Sequence, residues 1–289
     1  MTMAILLPMC GEAGNWHRGE SLVCSDCHTM HGSQSHAWSG ASPVSVTPVP
    51  GGDWLTATGP GSKLLKAAPD QLCIACHDGS TSTAPDVVAP VGYVADPAGG
   101  AFESTSAPSA LGHDLGGTSP VVPPLGKAAV LLTCRSCHDP HGNGNFRNLR
   151  PNPSGSQLGA GATVVVDEAV VANGSNPAQV YVASNLAYRS GTSAWCMDCH
   201  DAYPDAVAAG TKHPTDRRIE GAAQASWAVW AAVDPTVRVR VESPADPQVP
   251  SADDQVFCLS CHKAHGSPNA DALIYADRVT MDSTCAQCH

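Results

Sequence analysis

Aromatic and charged side chains are scarce in this chain, at 5% and 14% of its 289 residues. So few rings cannot fill the interior of an ordinary domain of this length. Long apolar runs are missing as well: no stretch approaches the roughly 18 residues that a membrane-spanning helix needs. Positive charge is in short supply, with 15 lysines and arginines against 26 aspartates and glutamates and a formal net charge of −11. That balance speaks against nucleic acid and anionic membrane surfaces as partners. The G-x-S-x-G, H-E-x-x-H and P-loop patterns of common enzymes are absent too. Glycine (27 residues) and proline (24 residues) are plentiful instead, a composition of turns and coil. Side chains of this kind would struggle to offset the conformational entropy lost on folding, so something else must supply the packed interior.

Thirteen cysteines and thirteen histidines point to what that is. Twelve of the cysteines fall into six C-x-x-C-H motifs: Cys24-Cys27-His28, Cys73-Cys76-His77, Cys134-Cys137-His138, Cys196-Cys199-His200, Cys258-Cys261-His262 and Cys285-Cys288-His289. This is the attachment signature of c-type haem. Two cysteines at this spacing reach the two vinyl-derived carbons of one haem as thioethers, and the next His lies beneath the iron. A lone C-x-x-C would equally fit a redox dithiol or half a zinc site. Six copies that use all but one cysteine, each with its His in place, do not. A disulfide framework has no need of a His after every second cysteine. The expected cofactors are therefore six covalent haem c groups with iron. With both propionates ionised, each ferric haem adds about −1, taking the total charge to roughly −17. Covalent haem attachment takes place outside the cytoplasm, so export is implied, although the six-residue apolar run Ala4–Met9 makes a poor signal peptide.

Seven histidines remain outside the motifs: His17, His31, His36, His113, His141, His213 and His265. Six bis-histidine haems need six distal ligands, so supply exceeds demand by one. Three motifs are extended, reading CSDCHTMHG, CRSCHDPHG and CLSCHKAHG, and place His31, His141 and His265 three residues after the proximal His. That offset sets both imidazoles on one side of a turn, the first for its own haem and the second for a neighbouring one, and the following Gly frees the chain to turn away. Methionine is the alternative axial ligand, but with enough His available Met30, Met197 and Met281 are expected only to pack. No motif departs from C-x-x-C-H, so none marks a catalytic haem with an open position, and Asp78, Asp139 and Asp201 behind the proximal histidines do not read as acids or bases of catalysis.

The details around the motifs resemble the OmcS-type hexahaem cytochromes, from about His17 to His289. The resemblance rests on CHTMH in the first motif, CHDPHG in the third, Trp195-Cys196 before the fourth, CLSCH-x-AH in the fifth, the isolated Gly112-His113, and His213-Pro214. It implies six bis-His haems in one continuous stack, in a family that polymerises into extracellular nanowires. It further implies that His31 crosses to a second copy of the chain and ligates the haem of Cys258 and Cys261 there. His17, His113, His141, His213 and His265 match the other distal positions, and His36 has no counterpart. This chain is considerably shorter than the family, and its linkers differ.

The expected fold is a multihaem cytochrome c: mostly coil, with short helices and a few short strands wrapped around a stacked haem chain. Residues 1–16 read as an N-terminal arm or leader remnant and 17–289 as a single hexahaem domain. The motifs start at residues 24, 73, 134, 196, 258 and 285, a loose array rather than a strict repeat. Thr163–Val166 and Gln179–Val182 are expected to pair as a hairpin around Asn173-Gly174, Thr236–Val241 to form a short strand, and Gly221–Ala232 a helix with Trp227 and Trp230 on one side. Cys10 is the leftover thiol; Leu7-Pro8-Met9-Cys10 resembles a lipoprotein box only faintly. The function expected is extracellular electron transfer in a filament of copies of the chain, exchanging electrons with other cytochromes and extracellular acceptors. The alternatives are a monomeric periplasmic or outer-surface shuttle and a multihaem reductase. Mass spectrometry of the purified, denatured chain should find six haems still attached; fewer would contradict the motif reading.

Overall fold

The computed structural model describes residues 17, 24–28, 65, 69–78, 84, 87–88, 99–102, 111–115, 119–153, 163–168, 186–225, 227, 240–243, 251–274 and 288. His31, His36, Cys285, His289, Cys10, Met30 and Met281 lie outside these, as do Gln179–Val182, Asn173-Gly174 and Trp230.

Each of the first five C-x-x-C-H motifs closes one helical turn. Helices α1 (Cys24–Cys27), α2 (Pro69–His77) and α3 (Cys134–Cys137) carry the first three motifs. The amide of the motif His donates to the carbonyl of the first Cys, at 2.9 Å for His28 and 3.0 Å for His138. His138 and His262 then leave the helix in an extended conformation, at φ −115° with ψ 145° and 157°, which turns their rings out of the helix. Ser136 caps this turn by accepting a hydrogen bond from the Thr133 amide at 3.1 Å.

Antiparallel strands β1 (Val165–Glu168) and β2 (Leu186–Ser190) form one two-stranded sheet. The described partner of the 163–166 run is Leu186–Ser190; the expected Gln179–Val182 lies outside the described residues. Alternation along Leu186–Ser190 is poor, but Tyr188 from its middle is the ring that packs on Phe257 and Leu259, and this tertiary contact outweighs intrinsic strand propensity. Helix α4 (Thr192–Cys196) leads into the fourth motif, and α5 (Tyr203–Ala208) follows it. Strands β3 (Arg217–Arg218) and β4 (Gln255–Val256) form a second small sheet, and α6 (Cys258–Cys261) carries the fifth motif. Residues 221–225 and 227 are helical as expected. Arg240 and Val241 of the expected 236–241 strand are coil, while the next residue, Glu242, bridges Gln255.

Apolar packing is thin. Among the described residues, one cluster joins Tyr188, Phe257 and Leu259, and another joins Ile219, Trp227 and Val241. Trp227 is fully buried and its indole N–H donates to Asp254 at 2.8 Å. The fold is mostly coil with short helices and strands, as its composition implies.

Two loops repeat one another closely. After His138 and after His262 the chain runs H-x-x-H-G-x-x-N-x-x-x-L, and the motif His forms an antiparallel bridge to that Leu, Leu149 or Leu273. In both, two successive residues sit at positive φ: Arg147 (+49°) and Asn148 (+57°), then Asp271 (+59°) and Ala272 (+55°). An asparagine closes each loop, with Nδ2 of Asn145 and of Asn269 each donating to the Leu carbonyl at 2.9 Å. Those bonds offset the cost of left-handed residues that are not glycine. Replacing Asn269 with Ala should lower stability by about 1 kcal/mol, read as a shift in the denaturant midpoint of the haem-loaded protein. No shift would remove the amide from this account.

Candidate metal centres

The described histidine rings meet in pairs. His17 faces His77 with ring centres 6.1 Å apart, His28 faces His141 at 6.1 Å, His113 faces His200 at 6.2 Å, and His138 faces His265 at 6.3 Å. Every pair joins one C-x-x-C-H histidine to one histidine from outside the motifs. The gap suits a shared metal. Two metal–imidazole bonds of about 2 Å, plus roughly 1 Å from each ring centre to its nitrogen, add up to about 6 Å.

The ring orientations fit ligation through Nε2. His138 Nδ1 donates to the Arg147 carbonyl at 2.9 Å, His262 to Asp271 at 2.8 Å, and His200 to Pro124 at 2.6 Å. The two loop carbonyls belong to the left-handed residues described above, so the unusual backbone serves to aim them. Among the distal candidates, His113 donates to Ala264 at 2.5 Å, His265 to Gly100 at 3.1 Å, His17 to Pro140 at 3.3 Å and His213 to Pro214 at 2.8 Å. A carbonyl can only accept, so each of these rings carries its proton on Nδ1 and presents Nε2, the arrangement by which proteins fix a metal-bound imidazole. Burial, above all, holds His113, His138 and His262 below the usual imidazole range, and lowers His265 to about 3. Neutral imidazole is the form that binds metal.

The cysteines fit the same cofactor. None of the described ones forms a disulfide. Successive motifs meet through alternate cysteines. Burial and then the nearby Cys27 push the Cys76 thiol up to about 12, and burial and then Cys199 do the same to Cys137. The first cysteines meet across the other two junctions, Cys134 with Cys73 and Cys196 with Cys258, where a sulfur–sulfur hydrogen bond is the largest influence on each. The first five motifs therefore line up in sequence order. Among the described residues no group of three or more His, Cys, Asp or Glu gathers around a bare ion. Two axial imidazoles and two adjacent thiols are what a porphyrin iron would take from this protein, and the residues fit it.

Sequence similarity leads the same way. The doubled CXXCH motif family matches residues 249–289. The C-type cytochrome OmcS of Geobacter sulfurreducens is 25% identical across 91% of this chain and 81% of its own length. The chain is thus similar to an OmcS-type cytochrome over most of its length. Its fold agrees: the outer membrane cytochrome S filament of Geobacter sulfurreducens superposes with a TM-score of 0.54 at 20% identity, covering 89% of this chain and 84% of that one. This cytochrome binds haem c covalently and serves electron transfer. No described helix is long and apolar enough to cross a membrane.

His262 departs from the pattern. It is exposed, whereas His28, His77, His138 and His200 are half-buried, and no described imidazole stands opposite it. His213 is exposed as well, with its carbonyl accepting a hydrogen bond from the Tyr203 hydroxyl. His141 and His265 each meet the motif two before their own, a pairing the sequence left open. The carbonyl acceptors, and the Asn and Leu that close the loops, escaped the sequence reading. Their one visible signal is the shared N-x-x-x-L after CHDPHG and CHKAHG. Replacing His17 with Ala should leave six attached haems, one of them now high-spin, with electron paramagnetic resonance as the readout. A wholly low-spin variant would rule out the His17–His77 pair as axial ligands.

Proposed function

We propose that this chain conducts electrons through six covalent bis-imidazole haems, as the repeating subunit of an extracellular filament built from copies of itself. The observation that carries the reading is the four ring pairs, each one motif and one non-motif histidine, at 6.1 to 6.3 Å. The cofactor, when bound, supplies reversible one-electron chemistry at iron. Everything else falls to the protein's residues. Cys24 and Cys27, Cys73 and Cys76, Cys134 and Cys137, Cys196 and Cys199, Cys258 and Cys261, and Cys285 and Cys288 anchor the haems. His28, His77, His138, His200, His262 and His289 take the proximal positions.

The ring pairs support assigning His141 to the first haem, His17 to the second, His265 to the third and His113 to the fourth. His213 is left for the sixth and His31 for the fifth, leaving His36 in surplus. An axial imidazole on each side leaves no open coordination position for a substrate, so the protein is read as a conductor and not a reductase. Cysteine contacts between successive motifs support a continuous line of haems within one domain, 17–289.

His31 is assigned to the haem of Cys258 and Cys261 in a second copy, because His262 is exposed and faces no described ring. A metal bond between subunits would let so polar a chain polymerise without a large apolar patch. A net charge of −11 before haem loading favours basic partners or mineral surfaces as electron acceptors, not nucleic acid. Export follows from covalent haem attachment, and a cell-surface or extracellular site from the filament. The exposed His262 also suits a second reading, a monomeric shuttle, in which that haem keeps one protein ligand. Imaging separates the two. Wild-type protein should form filaments, and the His31→Ala variant should give dispersed chains with six haems. Filaments persisting in the variant would refute the role of His31, and a dispersed wild type would leave the shuttle.

A further inference from the structure

One contact recurs between the second and third motifs and between the fourth and fifth. In both places the residue three before the first cysteine of the earlier motif reaches the first cysteine of the later one. Asp70, three before Cys73, accepts a hydrogen bond from the Cys134 amide at 3.0 Å. Ser193, three before Cys196, accepts one from the Cys258 amide at 3.3 Å. Both acceptors lie in the first turn of a helix, α2 or α4, and both donors open a four-residue helix, α3 or α6.

So short a helix cannot satisfy its first amides from within. In α3 and α6 two side chains share the task. The amide just before the first cysteine, of Thr133 or Phe257, donates to the serine inside the motif, Ser136 or Ser260, at 3.1 Å in both. The amide of the first cysteine itself is left for the preceding motif's helix. Its partners lie 64 and 65 residues away, so neither bond follows from local chain geometry. Both bonds fall where the first cysteines meet, Cys73 with Cys134 and Cys196 with Cys258. The two side-chain oxygens therefore fix how two successive attachment turns sit against each other.

The two clamps differ in charge. Ser193 offers a hydroxyl and is fully buried. Asp70 offers a carboxylate and is half-buried. Behind the sulfur–sulfur contact and burial, the Asp70 charge bears on both Cys73 and Cys134, which places it beside both turns. Arg135 opposes it at Cys73, but Arg135 is exposed and water screens it.

We infer that Asp70 is a charged clamp: one oxygen pins the third attachment turn to the second, and its negative charge lowers the reduction potentials at Cys73–Cys76 and Cys134–Cys137. Reduction adds an electron, which a fixed negative charge nearby disfavours. Ser193 pins the fifth turn to the fourth through an uncharged oxygen. Asp70 is thus a positioning residue that also sets an energy step for electrons at the second and third haems. The inference rests on haems attached at those two motifs and does not need the filament.

Redox titration of the full-length haem-loaded protein, followed by absorbance, tests this with Asp70→Asn and Asp70→Ala. Asn keeps an oxygen for the Cys134 amide and removes the charge, whereas Ala removes both. In both variants about a third of the haem absorbance change, two haems of six, should move to higher potential. At fixed potential the reduced-to-oxidised ratio of those haems should rise about threefold or more, about 28 mV for a one-electron couple. Only the Ala variant should also melt at lower temperature than the wild type. A purely structural Asp70 would leave the Asn curve in place, so curves that superpose on the wild type overturn the electrostatic role. An Ala variant that melts with the Asn variant overturns the clamp. Mass spectrometry of each protein keeps the two failures apart: a wild type with fewer than six attached haems defeats the haem reading instead.

Discussion

Two imidazoles must be held about 6 Å apart and coaxial for one iron to join them, and this fold is organised around that gap. The four described pairs keep it within 6.1 to 6.3 Å although their partners are 60 to 127 residues apart in the chain. Coil can achieve this because each ring is fixed locally. A helical turn ejects the motif His, and a backbone carbonyl takes its Nδ1 proton. The left-handed pairs Arg147-Asn148 and Asp271-Ala272 exist to bring two of those carbonyls into place. The thin apolar clusters around Tyr188 and Trp227 then suffice, since most of the interior is left to the cofactors.

The same constraint explains why histidines far apart in the chain are brought together. A C-x-x-C-H turn can furnish only one ligand to its own iron, so every second ligand must come from elsewhere. In the four described pairs the facing ring is a histidine from outside the motifs, and a bound iron would tie those distant parts of the chain together.

Much of the site was legible in the sequence because its chemistry is written locally. The motif cysteines and histidines, and the extra His three residues on in the extended motifs, can be read by eye. The mostly coil fold was legible from glycine, proline and the shortage of aromatics. What escaped was non-local. Nothing near His141 says that it reaches back to His28 rather than to the adjacent motif. The carbonyls of Pro124, Pro140 and Ala264 leave no mark in a sequence, because every residue has one. Strand β1 found Leu186–Ser190 through the burial of Tyr188, a tertiary preference that alternation does not record.

The central claim concerns where iron sits. A cryo-electron microscopy map of the purified haem-loaded protein, sharp enough to place the irons, tests it most directly. The account predicts one iron between His28 and His141, one between His77 and His17, one between His138 and His265, and one between His200 and His113. An iron bound by methionine, or any of these histidines paired with a different partner, would contradict it.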